Sequence, residues 1–150
     1  MAQPALSLRA RALRSLARRE HTRSELRRKL APHEETEGQL DALLDAWQAQ
    51  GFLSDERAAA SLVHRRAARL GTQRLRQELQ AKGLDASTVD AALEGLGGTE
   101  LERARVLWER KFGAPAPDAA GRARQVRFLL ARGFASDTVR RVVRGVEDDF

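Results

Sequence analysis

Apolar residues recur along most of the chain at intervals of three and four, the spacing that places side chains on one face of an α-helix. Signals for β-strands are nearly missing, because the chain has no Tyr, few β-branched residues and no sustained alternation of apolar and polar positions. The sequence therefore predicts an all-α protein. The apolar stripes of the first half are Leu6, Ala10, Leu13, Leu16 and Ala17, then Leu26 and Leu30, then Leu40, Leu43, Leu44 and Trp47, then Ala59, Leu62, Val63, Ala67 and Leu70.

The same spacing continues through the second half of the chain. A loop that contains proline, residues 113–118, separates two of the predicted helices. The stripes are Leu75 and Leu79, then Val89, Ala92, Leu93 and Leu96, then Leu101, Ala104, Trp108 and Phe112, then Val126, Leu129 and Leu130, and finally Val139, Val142, Val143 and Val146.

Residues that commonly cap helices mark the helix ends. Thr22, followed three positions later by Glu25, is a capping box and predicts a helix start. Ser54 and Asp85 each carry a side-chain oxygen that can accept a free amide at the start of a helix. The glycines that end helices are Gly51, Gly71 and Gly83, and Gly97-Gly98 is the clearest break.

These elements form a repeat. Residues 74–93 align without a gap to residues 124–143, and the alignment pairs Leu79 with Leu129 and Gly83 with Gly133. The first third of the chain shares part of this pattern, since Glu25-Leu26 with Lys29 matches Glu78-Leu79 with Lys82. We therefore predict three tandem three-helix units, residues 1–53, 54–97 and 98–150, joined into an elongated, curved array.

Composition narrows the class of protein. The 150 residues contain no cysteine, so disulfides and thiolate metal sites are excluded. No apolar run approaches the ~20 residues that cross a bilayer, and the N-terminus lacks the signal-peptide pattern. We expect a cytoplasmic protein that does not enter membranes.

Charge is unevenly distributed within a net charge of +6. Residues 9–29 contain nine basic and two acidic residues, whereas residues 30–56 contain seven acidic residues and no Arg or Lys. Residues 57–82 and 122–144 each contain seven basic residues and one acidic residue. Such blocks favour nucleic acid or an acidic protein surface as the partner. Arg outnumbers Lys by 24 to 3, which reflects either the codon bias of a GC-rich genome or a need for phosphate and carboxylate binding.

Basic residues recur beside the apolar positions of the short helix in each unit. They are either a solvated surface or a discontinuous basic track that binds the partner or DNA. The members of this predicted basic track are Arg18, Arg19, Arg23, Arg27, Arg28, Lys29, Arg74, Lys82, Arg124, Arg127 and Arg132.

Phe128 lies among the arginines of the last unit. If Val126, Leu129 and Leu130 face the core, Phe128 projects to the opposite side, one turn from Arg124 and Arg132. It then either anchors a partner or stacks on a base, or else it packs under another helix of its own unit. The other large aromatic residues fall at core spacing, namely Trp47, Trp108, Phe112 and Phe134.

No constellation of catalytic residues is present in the sequence. His21, His33 and His64 are not at ligand spacing and are expected at the surface. Asp148 and Asp149 are expected to form an acidic tail rather than a metal site. The sequence therefore predicts a binding protein with no catalytic site, metal or cofactor.

Four stretches stand in order along the chain, namely residues 16–30 (LARREHTRSELRRKL), 51–57 (GFLSDER), 78–83 (ELQAKG) and 128–134 (FLLARGF). Together they resemble the RecX family, the bacterial regulators of the RecA recombinase, and the resemblance covers residues 9–146. The chain departs from the usual family pattern at Ala58-Ala59-Ala60, where an aromatic is common, and at Gln73, where a proline is common. These departures put a local contact in doubt but leave the helical pattern intact.

The resemblance implies three tandem three-helix repeats and binding to RecA, especially to the filament that RecA forms on single-stranded DNA. Family members lodge in the filament groove, limit filament growth, and so damp strand exchange, ATP hydrolysis and RecA-stimulated repressor cleavage. A monomeric protein acting in recombinational repair and the SOS response is expected. The rival hypothesis is a protein that binds nucleic acid directly through units resembling helix-turn-helix domains.

Overall fold

Helices are the only regular structure in residues 6–144, the part of the chain that the computed structural model describes. The prediction of an all-α fold is confirmed. The helices are α1 Leu8–Arg18, α2 Arg23–Leu30, α3 Gln39–Ala49, α4 Asp55–Arg66, α5 Thr72–Ala81, α6 Ala86–Glu94, α7 Glu100–Lys111, α8 Ala119–Ala131 and α9 Ser136–Arg144, and a 3₁₀ turn Ala31–His33 follows α2.

Each consecutive set of three helices encloses its own hydrophobic core. We call α1–α3, α4–α6 and α7–α9 the first, second and third unit. The second helix of each unit packs against the third helix of the same unit, so the helices of a unit pack chiefly against one another. The three cores consist of Leu8, Ala12, Leu26, Leu30, Leu40, Leu44, Trp47 and Leu53; of Ala59, Leu62, Val63, Leu70, Leu75, Leu79, Leu84, Val89 and Leu93; and of Ala104, Trp108, Leu129, Phe134, Val139, Val142 and Val143.

The three cores share no residue, so residues 6–144 fold as an array of small units. The exact unit boundaries, after residues 53 and 97, stay a prediction.

The predicted caps form as expected. The Thr22 hydroxyl accepts a hydrogen bond from the Glu25 amide at 3.1 Å, and the Glu25 carboxylate accepts one from the Thr22 amide at 3.0 Å. The side chains of Ser54 and Asp85 accept amide hydrogen bonds at the starts of α4 and α6. These local signals fix where the helices begin because free amides at a helix start need acceptors.

The repeat predicted from the alignment is confirmed in the positions of the matched residues. Leu79 and Leu129 are both fully buried, and Gly83 and Gly133 both have positive φ angles, 79° and 90°. Each glycine follows the second helix of its unit and has the left-handed conformation that residues with a Cβ avoid. The second helix is not the shortest of its unit in the second and third units, since α5 has 10 residues and α8 has 13.

Two predicted stripes are corrected. In α1 the buried positions are Leu8, Ala12 and Ser15, while Leu13 is 54% exposed, because one residue past Ala12 the side chain has rotated about 100° away from α2. In α8 the buried positions are Gln125 and Leu129, and Leu130 is 43% exposed. Val146, predicted in the last stripe, and the acidic residues Asp148 and Asp149 lie outside the described residues.

Candidate partner-binding surfaces

The arginines of α2 are largely tied to the helix beside them. Arg23 forms an ion pair with Asp45 at 2.7 Å and donates to Gln48, and Arg27 pairs with Asp41. All three acceptors lie on α3, so two arginines of the basic block are held by the acidic block that follows it in the sequence. Two members of the predicted basic track therefore have partners inside their own unit.

Two basic residues, Lys82 at the end of α5 and Arg19 at the end of α1, help to join the first two units. The Thr22 hydroxyl donates to the carbonyl of Lys82 at 2.7 Å, and the Lys82 ammonium pairs with Glu25 at 2.9 Å. Arg19 pairs with the same Glu25 oxygen at 2.9 Å. A Cβ at Gly83 would lie 2.3 Å from the Ser24 hydroxyl oxygen, so the two units touch closely here. We call this contact the first joint.

Titratable groups beside the first joint are perturbed by their surroundings. Burial alone would raise the pKa of Glu25, but hydrogen bonds from Arg19, from the Thr22 backbone and from Lys82 outweigh it and lower the pKa to about 2. His21 is buried, which corrects the surface position expected for it. Burial lowers the pKa of His21, whose Nδ1 lies 3.0 Å from the Arg19 carbonyl oxygen. Glu25 is therefore ionised at neutral pH, and both side chains form hydrogen bonds in the turn between α1 and α2.

The second and third units contact each other through backbone atoms and through two glycines. The Gly71 amide donates to the carbonyl of Arg132 at 2.8 Å. A Cβ at Gly71 would lie 2.3 Å from the carbonyl carbon of Gly133, and a Cβ at Gly133 would lie 2.2 Å from the Cβ of Arg74. Arg74 therefore contributes its stem to this second joint, while its guanidinium lies 3.9 Å from Glu78.

Arg103 locks the second joint from inside. It donates to the carbonyls of Ala67 and Leu70 and to the Thr72 hydroxyl, at 2.8 Å for Ala67 and 2.9 Å for Thr72. Arg103 is half-buried, and this burial lowers the pKa of its guanidinium from the usual value. Sequence reasoning missed this residue, since no spacing rule distinguishes it from the many other arginines.

Phe128 packs within its own unit, the second of the two placements considered from the sequence. Its ring makes an edge-to-face contact with Phe112 at 5.4 Å between centroids, and it is half-buried. The inward position of α8 is taken by Gln125, which accepts a hydrogen bond from the Trp108 indole at 3.1 Å. The Arg132 guanidinium lies over the Phe128 ring, 5.0 Å from its centroid, so one face of the ring contacts a cation.

The rest of the predicted basic track has no internal partner. Arg28, Lys29, Arg124 and Arg127 are exposed, and none of them makes a hydrogen bond or ion pair with a described residue. Arg18 is also exposed and lines a recess between α1 and α2. The residues predicted as one track therefore divide into joint or paired residues and five free cations at the two ends of the array.

Metal and membrane sites are not indicated in the described part of the chain. Residues 6–144 contain no group of three or more side chains suited to hold a metal ion, and His33 and His64 are exposed. No helix within these residues is long and apolar enough to span a membrane.

Comparison with known proteins gives one consistent family. Three family models match in order: the first three-helix domain of RecX at residues 9–45, the second at residues 54–93 and the third at residues 99–143. A regulatory protein RecX from Leptothrix cholodnii is 57% identical over 95% of this chain and 90% of its own length. One from Ralstonia pickettii is 50% identical over 95% and 90%.

Solved structures share the fold. A crystal structure of a regulatory protein RecX has a TM-score of 0.74 at 23% identity, covering 92% of this chain and 70% of that one. RecX from Lactobacillus salivarius also has a TM-score of 0.74, at 19% identity, covering 91% and 92%. These two likenesses establish the arrangement of the helices.

Proposed function

The chain belongs to the RecX family of regulatory proteins, and we propose that it binds RecA and the filament that RecA forms on single-stranded DNA. In this role it limits filament growth and so lowers strand exchange, ATP hydrolysis and the coprotease activity of RecA. Recombinational repair and the SOS response are the processes that it modulates.

The ordered match of all three RecX domains is the observation that carries this proposal. The relative that is 57% identical aligns with 95% of this chain, so the likeness extends over almost the whole sequence. A regulator that acts by binding needs no reacting groups, so we propose a non-catalytic monomer without a cofactor that works in the cytoplasm beside RecA.

The arrangement of the units suits a long, repetitive partner. Both joints are held by hydrogen bonds into the backbone, so the three units keep a set spacing. The free cations Arg28, Lys29, Arg124 and Arg127 lie on the first and third units, which lets the two ends engage acidic groups some distance apart. A filament groove that contains protein carboxylates and DNA phosphate offers such groups at regular intervals.

The test is DNA-dependent ATP hydrolysis by RecA of the same organism, measured with single-stranded DNA while this protein is titrated. We expect turnover to fall, with a larger effect when the protein is present during filament growth than when it is added to finished filaments. Unchanged turnover at a several-fold excess over the amount that saturates the filament would contradict the proposal.

Direct binding to nucleic acid is the second candidate function, favoured by the free arginines at both ends of the chain. The two candidates separate when binding is compared for DNA alone, RecA alone and the assembled filament. A protein that chiefly binds DNA should hold naked DNA as tightly as the filament, with a steep dependence on salt.

A further inference from the structure

The start of α5 has no side-chain cap within its own unit. Gly71 occupies the position where α2 has Thr22 and α8 has Asp118, and the side chains of Thr22 and Asp118 each accept an amide hydrogen bond from their own helix. Glycine offers no side-chain acceptor. The first amides of a helix lack partners inside it, so those of α5 need acceptors from elsewhere.

Two amides at the start of α5 find their acceptors in the third unit. The Gly71 amide donates to the Arg132 carbonyl at 2.8 Å, and the Thr72 amide donates to one carboxylate oxygen of Glu100 at 3.0 Å. The other oxygen of Glu100 accepts a hydrogen bond from the Thr138 hydroxyl at 3.3 Å, which holds the carboxylate between α5 and α9. Glu100 is half-buried and is the first residue of α7, so it caps α5 across the second joint.

Close packing at the second joint explains why the cap comes from another unit. A Cβ at Gly71 would lie 2.3 Å from the carbonyl carbon of Gly133, so the serine, threonine or aspartate that commonly caps a helix does not fit there. The carboxylate of Glu100 supplies the acceptor without a Cβ at position 71, and its negative charge suits the positive end of the α5 dipole. Contact between the two units and capping of α5 are therefore parts of one arrangement.

The same contact occurs at the first joint, where it is redundant. Asp55 is the first residue of α4, as Glu100 is of α7, and its carboxylate accepts a hydrogen bond from the Arg23 amide at the start of α2, at 2.8 Å. Here Thr22 also caps α2 from within the first unit. The repeat thus places an acidic residue against the second helix of the preceding unit at both joints, and of these two helices only α5 lacks a cap of its own.

The beginning of α7 also holds the end of α4. Arg103 lies three residues after Glu100 and donates to the carbonyls of Ala67 and Leu70, which directly follow α4. A cation is favourable at the C-terminal end of a helix and an anion at the N-terminal end. The third unit therefore presents one charge of each sign to the turn between α4 and α5, residues 67–71, and each charge lies beside the helix end that it suits.

We infer that Glu100 is a positioning residue that caps α5 across the second joint, so that the first turn of α5 is ordered only while the second and third units are in contact. The other end of α5 contacts the first unit through Lys82, so both joints act on the two ends of this one helix. A partner that separates the second and third units must also uncap α5. The inference goes beyond the proposed function, because it concerns the coupling between units and holds for any partner.

The experiment measures hydrogen exchange of single backbone amides in the full chain by NMR. The amide of Leu75 is the reporter, because it lies in the first turn of α5 and donates to the Gly71 carbonyl rather than to Glu100. The variants are E100A, which removes the acceptor, and E100Q, which keeps an acceptor oxygen. E102A is the control, because Glu102 lies in the same turn of α7 but pairs only with Arg105, at 3.8 Å.

We expect exchange at Leu75 to be on the order of fivefold faster in E100A, because the loss of a cap favours fraying of the first turn. E100Q should restore most of the protection, and E102A should match the parent. D55A makes the equivalent change at the first joint. It should speed exchange at Leu26, the matching amide of α2, by less than E100A does at Leu75, since Thr22 still caps α2.

Several results would overturn the inference. Unchanged exchange at Leu75 in E100A would show that α5 stays ordered without this cap, and exchange in E100Q as fast as in E100A would show that the acceptor oxygen does not hold the turn. An equal rise throughout α4, α5 and α6 would show a general loss of stability. An effect of D55A at Leu26 as large as that of E100A at Leu75 would show that a cap from the same unit makes no difference. These measurements contain no RecA, so they are independent of the test of the proposed function.

Discussion

The two joints place the same parts of the repeat together but hold them by different forces. In both joints, the carbonyl of the residue before a left-handed glycine accepts a hydrogen bond, and that residue is Lys82 in the first joint and Arg132 in the second. The donor lies at the start of the second helix of the preceding unit. The first joint then adds ion pairs with Glu25 that are in contact with water. The second adds close backbone packing and hydrogen bonds from the half-buried Arg103. The first joint thus relies on ion pairs, whereas the second relies on close packing and on hydrogen bonds to backbone.

This difference predicts different sensitivities for the two joints. Ion pairs that water reaches weaken with salt and with the protonation of their carboxylate. Close backbone packing is insensitive to both, but it does not tolerate an added methyl group. The substitutions at Gly71, Arg103 and Glu25 each change one joint and leave the other unchanged.

The largest effect is expected from G71A. Gly71 has an ordinary φ of −72°, so alanine strains no dihedral angle there, but its Cβ would lie 2.3 Å from backbone atoms of Gly133. We expect the free energy of unfolding to fall by about 3 kcal/mol, measured by urea denaturation. G95A is the control, because nothing lies within 4 Å of a Cβ at Gly95. A fall as small as that of G95A would show that the second joint yields easily.

R103M should have the next largest effect. Methionine keeps much of the length of Arg103 but leaves the carbonyls of Ala67 and Leu70 and the Thr72 hydroxyl without their donor. We expect a fall of about 2 kcal/mol in the free energy of unfolding. R105M on the same helix removes only an exposed pair, with Glu102 at 3.8 Å, and should cost under about 1 kcal/mol. Similar destabilisation in both variants would remove Arg103 from the account of the joint.

The first joint should respond to pH. Glu25 has a pKa of about 2 in the folded chain against an ordinary value of 4.5, so the unfolded chain takes up the proton first as pH falls. Its contribution to stability is complete above pH 4.5 and is lost as pH falls toward 2. Because Arg19 and Lys82 are in contact with water, we expect on the order of 1 kcal/mol from this group.

Two variants test the role of Glu25 in this dependence on pH, with E109Q as the control for E25Q. E25Q should flatten the fall in stability over this range of pH, measured by thermal unfolding at a series of pH values. E109Q, which removes an exposed carboxylate that has no ion pair with a described residue, should leave the pH profile unchanged. Parallel profiles for E25Q and the parent would show that Glu25 does not titrate as described.

The smallest effect on stability is expected at the arginines of α2, α5 and α8, the second helix of each unit. Replacing Arg27, Arg74 and Arg124 by Gln removes two exposed ion pairs and one free cation, so the free energy of unfolding should change by less than about 1 kcal/mol. Association with the RecA filament should weaken. The variant R28Q/R124Q/R127Q should weaken it more, because all three side chains lack a partner among the described residues. The reverse order would show that free cations do not mark the binding surface.

Local signals predicted the fold well. Helical spacing, the capping box at Thr22 and the alignment of Leu79 with Leu129 depend only on neighbouring residues or on repeats of a pattern, and the structure confirms them. The buried face of α1 was misplaced because five apolar or small positions span more than one side of that helix, and only packing against α2 selects Leu8 and Ala12.

The candidate surface was less predictable than the fold. Arg23 and Arg124 look alike in sequence, yet Arg23 meets Asp45 across the bundle and Arg124 has no partner in the described chain. Whether an arginine is paired depends on acidic residues of a neighbouring helix, and the joints depend on contacts between units. Local sequence patterns do not contain either kind of contact. The choice between the two placements of Phe128 also depends on contacts between helices, since the Gln125 bond to Trp108 sets the rotation of α8.

Co-sedimentation with RecA filaments tests the central claim most directly. Filaments assembled on single-stranded DNA are pelleted with this protein, beside naked DNA and beside RecA without DNA. The account predicts that the protein pellets with the filament at near-physiological salt, in an amount that saturates and exceeds the amount bound by either component alone. A protein that stays in the supernatant with the filament, or pellets equally with naked DNA, would contradict the account.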